Sequence, residues 1–130
     1  MKKISLLNVI FILGLILQSC GSQNVEGVKT IEEKEFKTLA KDKNTVILDV
    51  RTREEIISEG YIQGASLFID FTKPDFEEQL GKLDKSKNYL VYCKSGGRSS
   101  SATEIMAQKG FKAVYNLEGG ISNWSGTIGK

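Results

Sequence analysis

Thr45-Val46-Ile47-Leu48-Asp49-Val50 is apolar or β-branched at every position except Asp49. A strand with one wet face alternates apolar and polar residues. One that does not alternate is covered on both faces, as in a parallel sheet with helices on either side. Tyr89-Leu90-Val91-Tyr92 has the same character, and Ser66–Ile69 and Ala113–Leu117 read as further short strands. Helical patterns fall between these runs. Phe36, Leu39 and Ala40 follow the acidic Glu32-Glu33, and Asp42–Asn44 ends that helix. Thr52 with Glu55 makes a capping box for a helix ending near Gly60. Lys73-Pro74-Asp75 opens another helix, with Pro74 in its first turn and Phe76 and Leu80 one turn apart. Ser99 to Lys109 is a helix closed by Gly110, and Ile121 to Trp124 begins a terminal helix after the Gly119-Gly120 turn. Strands alternating with helices predict one α/β domain, a parallel sheet of about five strands with helices on both faces.

The first residues do not belong to that domain. Met1-Lys2-Lys3 is basic, and Ile4 to Leu17 is apolar apart from Ser5, Asn8 and Gly14. That stretch is short for a membrane span and fits the core of a signal peptide. Leu17-Gln18-Ser19-Cys20 resembles a bacterial lipobox, in which the cysteine is lipidated and becomes the new first residue. Gln18 is the looser fit, and a plain secretory signal or a retained anchor are the alternatives. The expected organisation is a leader over residues 1–19, a tether over 20–27 (Gly21 to Gly27 is small and polar) and a folded domain over 28–130. The expected location is outside the cytoplasm, lipid-anchored to a bacterial membrane and facing the periplasm.

Removing the leader also changes the charge. The formal +2 includes Lys2 and Lys3, and without them basic and acidic residues balance at 16 each. A neutral body carries no nucleic-acid footprint. The chain has no histidine. That excludes Ser-His-Asp triads, Cys-His proteases and most zinc sites, and two cysteines cannot make a thiolate cluster. No metal or cofactor is expected. If Cys20 carries lipid, Cys93 is the only free thiol of an exported protein, which is either buried packing or kept for its reactivity.

The context of Cys93 favours reactivity. It ends an apolar strand and opens Lys94-Ser95-Gly96-Gly97-Arg98-Ser99, a glycine-bearing loop that leads into a helix. Backbone N–H groups and the positive end of a helix dipole stabilise negative charge there. Gly96 and Gly97 let the backbone curl around a sulfur, Lys94 and Arg98 are candidate cations for an anionic substrate, and Ser99 is placed to cap the helix. Asp49 and Arg51, at the end of another strand, read as a pair tying loops together.

Four blocks in order resemble the single-domain rhodaneses, a sulfurtransferase family: Leu48 to Glu55, Gly60 to Ala65, Cys93 to Ser99, and Gly110-Phe111 through Leu117-Glu118-Gly119-Gly120-Ile121 to Trp124. Together they span residues 48–124. Tyr61 stands where the family usually has histidine, at a position that the resemblance places away from the reacting sulfur. The resemblance implies that Cys93 takes a sulfane sulfur from thiosulfate or a related donor, holds it as a persulfide and passes it to a thiol or cyanide. The implied partners are small sulfur donors and thiol acceptors, the membrane through the lipid, and an acceptor protein. The alternative is a persulfide or polysulfide carrier or sensor that works with a protein partner and turns over little thiosulfate. A phosphatase or arsenate reductase comes third, because those enzymes space cysteine and arginine by five residues to enclose an oxyanion, whereas four residues separate Cys93 from Arg98.

Overall fold

The computed structural model describes residues 27–130. The leader, Cys20 and nearly all of the tether lie outside those residues. The elements run β1 (Val28–Ile31), α1 (Glu33–Leu39), β2 (Thr45–Asp49), α2 (Arg53–Glu59), β3 (Tyr61–Ile62), β4 (Ala65–Phe68), α3 (Phe76–Gly81), β5 (Asn88–Tyr92), α4 (Gly97–Gln108), β6 (Ala113–Leu117), a single 3-10 turn (Ile121–Asn123) and β7 (Ile128–Gly129). Five strands form one sheet in the order β1-β6-β5-β2-β4, every pairing parallel, and β3 pairs with β7 in a small antiparallel ribbon.

The non-alternating runs are buried on both faces, as their composition requires. Along β5, Tyr89 and Val91 enter one core, and Leu90 and Tyr92 the other. The first core also holds Leu48, Val50 and Val114, covered by Phe76 and Leu80 of α3 and Ala102 and Met106 of α4. The second holds Ile31, Ile47 and Leu117, covered by Phe36 of α1, on which Trp124 rests edge-on with ring centroids 5.4 Å apart. Trp124 is only half-buried, whereas Phe111 is fully buried in the first core.

Three expected elements are corrected. The terminal helix is one 3-10 turn followed by β7. It ends at Trp124, whose backbone turns extended (φ −71, ψ 125), while the first N–H groups of the turn, those of Ile121 and Ser122, donate to the carbonyls of Cys93 and Lys94, each at 3.0 Å. Pro74 precedes α3, whose first residue is Phe76, so it lies in the approach turn and not in the first helical turn. Finally, α4 begins at Gly97, two residues before Ser99.

The route of the chain positions the loops. From β2 it moves outward to β4, then returns to β5 on the opposite side of β2 and continues to β6. Crossovers therefore diverge between β2 and β5, and in sheets of this kind a crevice opens there beyond the carboxyl ends of the strands. Asp49 is in register with Tyr92 across this junction, and the N–H of Val50 donates to the carbonyl of Tyr92 at 3.0 Å. Arg51 and Cys93 thus leave the sheet side by side.

Candidate active site

Cys93 follows β5 directly, is 1% exposed and is a free thiol. Its Sγ accepts a hydrogen bond from the N–H of Gly96 at 3.1 Å and one from Ser99 Oγ at 3.3 Å. The N–H groups of Ser95 and Ser99 add to the same field. Burial pushes the thiol up, but these donors outweigh it and hold Cys93 below the ordinary thiol range. Ser99 therefore does not cap the helix. Three residues into the first turn, its hydroxyl lies over the sulfur and the carbonyl of Gly96 at 3.2 Å, while Gly96 takes the cap position without a side-chain bond.

Replacing Ser99 removes one donor to the thiolate. Ser99→Ala is expected to raise the pH at which Cys93 ionises and to slow its alkylation by iodoacetamide about tenfold at neutral pH, the size of one charge-assisted hydrogen bond of about 1.5 kcal/mol. Because the thiolate is the reacting form, alkaline pH should restore the rate. Thiolate absorbance and alkylation rate, each followed against pH, check both statements.

Only one of the two loop glycines is required by geometry. Gly96 has φ +107, a left-handed conformation that strains any residue with a Cβ. Gly97 is helical with open space around it, so the expectation that both glycines let the backbone curl around the sulfur is corrected to Gly96 alone. The other constrained glycine lies beneath the loop. Gly120 has φ +59 and ψ −160, and a Cβ there would meet Lys94 O at 2.5 Å and Cys93 O at 2.6 Å. Together with the bonds from Ile121 and Ser122, this backbone forms the floor on which the loop rests. Gly120→Ala is expected to destabilise the domain by about 2 kcal/mol or more and to reduce Cys93 reactivity by displacing the loop. Thermal unfolding and the rate of Cys93 alkylation measure the two effects.

Both loop cations are already engaged. Arg98 donates to Glu55 through two nitrogens at 2.7 and 2.9 Å, a bidentate pair. Lys94 Nζ lies 2.8 Å from Glu59 Oε1. Glu55 also closes the capping box with Thr52, and Arg98 foremost among its partners pulls its carboxyl down to about 2. Sequence reasoning missed Glu55 and Glu59 as partners of the loop. The signal available was their spacing, since residues four apart on a helix share a face.

Asp49 and Arg51 form the tie that was expected, and they form it in the interior. Asp49 is 0% and Arg51 1% exposed. Asp49 accepts the Arg51 backbone N–H at 2.9 Å, Nε at 3.1 Å and Nη2 at 2.8 Å, and Nη2 also donates to the carbonyl of Gly60 at 2.6 Å. The remaining nitrogen, Nη1, reaches Glu59 Oε2 at 3.4 Å. Tyr92 completes the corner. Its hydroxyl accepts the N–H of Ile62 at 3.0 Å, and burial together with the facing Asp49 pushes the phenol well above its usual range. Tyr61 lies on β3 with its ring edge-on to Phe68, beside a groove of about 420 Å³ that it lines with Ile56 and Ile57.

The arrangement amounts to a thiolate-stabilising loop on a fixed floor, and among the described residues the hydrogen-bond partners of the sulfur are donors, the Gly96 N–H and the Ser99 hydroxyl. It can perform nucleophilic attack by sulfur on a small electrophile and can hold the resulting anion.

Comparison with known proteins bears on which electrophile. Residues 32–127 match the family described as rhodanese-like domain. Thiosulfate sulfurtransferase GlpE of Coxiella burnetii is 38% identical over 96 residues, covering 74% of this chain and 86% of its own length. A tRNA uridine(34) hydroxylase of Pelagibacter ubique is 33% identical over 124 residues, covering 91% of this chain but only 38% of that longer protein. Among solved structures, a rhodanese-like domain protein from Staphylococcus aureus superposes with a TM-score of 0.65 at 32% identity, covering 78% of this chain and 98% of the other.

Proposed function

The chain belongs to the rhodanese-like domain family, and from that premise we propose that it is a sulfurtransferase that carries sulfane sulfur as a persulfide on Cys93. The observation that carries this reading is the Cys93 thiol itself, held below the ordinary range by donors from Gly96 and Ser99 at the start of a 12-residue helix. The Cys93 thiolate attacks the outer sulfur of thiosulfate. A Cys93 S–S bond forms, the S–S bond of the donor breaks, and sulfite leaves with the electron pair. Charge is conserved, since thiolate plus dianion becomes persulfide anion plus dianion, and no proton moves. A thiolate acceptor, or cyanide, then attacks the outer persulfide sulfur and releases Cys93 as thiolate. Backbone N–H groups of Ser95 to Ser99 hold the anion in both states, with Gly96 making the bend, Gly97 starting the helix and Lys94 and Arg98 at its rim.

Incubating the protein with thiosulfate and weighing it intact tests the reading. Gain of one sulfur atom, discharged by cyanide, supports it. A protein that gains no sulfur at any pH sinks it.

A second reading has its own observation. The pairing of Lys94 with Glu59 and of Arg98 with Glu55 leaves the loop cations engaged, which suits a persulfide or polysulfide carrier that works with an acceptor protein and turns over thiosulfate slowly. The lipid anchor on Cys20 and a periplasmic location are part of the proposal, motivated by the leader pattern.

A further inference from the structure

The basic side chains of the loop and of the Asp49–Arg51 corner are all paired. Arg51 faces Asp49, Lys94 faces Glu59 and Arg98 faces Glu55, and Asp70 adds a further negative charge to the surroundings of Arg98. A dianion approaching the Cys93 thiolate is met by the backbone N–H groups of the loop but by no unpaired cation among these three side chains, so the cation best placed to receive it is the one whose pair opens most easily.

The pairs differ in how easily they can open. Arg51 is wholly buried. Arg98 is held bidentate, and its partner Glu55 is itself fixed by Thr52 at the cap of α2. Lys94 is held by a single contact, with side-chain exposures of 52% for Lys94 and 36% for Glu59. An exposed pair of this kind is weak, so Lys94 is the cation that can be released.

Glu59 is held from its other side as well. It is the last residue of α2, and its other oxygen lies 3.4 Å from Arg51 Nη1, whose guanidinium is pinned by Asp49. Glu59 is thus an anchored carboxylate that competes with any anionic substrate for Lys94.

We infer that Glu59 is a specificity-determining positioning residue, which acts through Lys94 to disfavour dianionic sulfur donors relative to donors of lower charge. This rests on the sulfurtransferase reading. Thiosulfate must draw Lys94 away from Glu59, whereas a monoanionic thiosulfonate demands less of that cation. The chemistry at the sulfur is the same for both. The thiolate attacks the outer sulfur, the S–S bond breaks, and sulfite leaves from thiosulfate or sulfinate from the thiosulfonate.

Glu59→Gln tests it, because the amide oxygen can still accept from Arg51 while the charge that holds Lys94 is gone. Sulfuration kinetics of the wild type and Glu59→Gln are measured with thiosulfate and with methanethiosulfonate at constant ionic strength. The expected result is a KM for thiosulfate lowered about two- to fivefold, a kcat that hardly moves, and a smaller change for methanethiosulfonate. The gain should vanish in the Lys94→Gln background. An unchanged KM, an equal change for both donors, or a gain that survives without Lys94 overturns the inference and leaves the sulfurtransferase reading standing. If neither donor sulfurates Cys93 even in the wild type, both fall together.

Discussion

Cys93→Ser is expected to abolish persulfide formation and sulfur transfer while leaving the domain folded. Serine fits the same space, and its Oγ can accept the bonds that Gly96 N and Ser99 Oγ give to the sulfur. The fold therefore loses little, on the order of 1 kcal/mol for a conservative change at a buried polar contact. The chemistry loses everything, for two reasons. A hydroxyl does not ionise in a field that only brings a thiol below its ordinary range, and oxygen cannot hold a sulfane sulfur as sulfur can. No imidazole can compensate as a general base, since the chain contains no histidine. Transfer should fall to the rate of thiosulfate and cyanide without protein. Because the full chain also contains Cys20, intact mass should be joined by peptide mapping. Sulfur mapped to Cys93 in the wild type, and none on the loop peptide of the variant, is the expected result. Undiminished transfer by a folded Cys93→Ser protein would remove the nucleophile role altogether.

The same loop shows what could be read from the sequence and what could not. β2, β5 and β6 were legible because burial on both faces writes an apolar run into consecutive residues, and Thr45–Asp49 and Ala113–Leu117 carry that run without help. β1 was missed. Val28-Lys29-Thr30-Ile31 is an edge strand whose two central residues are exposed, so its pairing with β6 leaves little trace in hydrophobicity. β3 and β7 are two residues each, and they exist only because the fold brings Tyr61 beside Gly129. At the site, Cys93 could be placed from its strand, its glycines and the helix that follows. The duties of its neighbours could not. Ser99 looked like a cap because serine favours that position, but the helix starts earlier and its hydroxyl lies over the sulfur. Ile121 to Trp124 looked like the start of a helix, yet it is a single 3-10 turn, and the Ile121 N–H serves the Cys93 carbonyl. Glu55 announced its capping role through Thr52, while its partnership with Arg98, 43 positions away, depends on tertiary placement. Local signals reveal what a residue does for its own element, and long-range contacts decide what it does for the site.

Asp49→Ala is expected to be the most destabilising single change in the domain. Among the described residues, Asp49 makes the shortest side-chain contacts with the Arg51 guanidinium, and it also accepts the Arg51 backbone N–H. Removing it leaves a guanidinium that is 1% exposed with the Gly60 carbonyl and a long contact to Glu59. Arginine cannot shed its proton to escape burial. The end of β2 must open to water, or the charge stays unpaired. Breaking a buried pair in this way costs about 3–5 kcal/mol, against a total stability of about 5–15 kcal/mol for a typical domain. A fall in Tm of about 15 °C or more follows for a domain of this size. The damage should also reach the loop, because Arg51 anchors Glu59 and Glu59 holds Lys94. The double change Asp49→Leu with Arg51→Leu separates the cost of the orphaned charge from the worth of the pair. Two apolar side chains leave no buried charge, so much of the lost Tm should return. Sulfuration should recover less than stability, since Gly60 and Glu59 have still lost their partner. A double variant as unstable as Asp49→Ala would mean that the geometry of the pair, and not the unpaired charge, sets the loss.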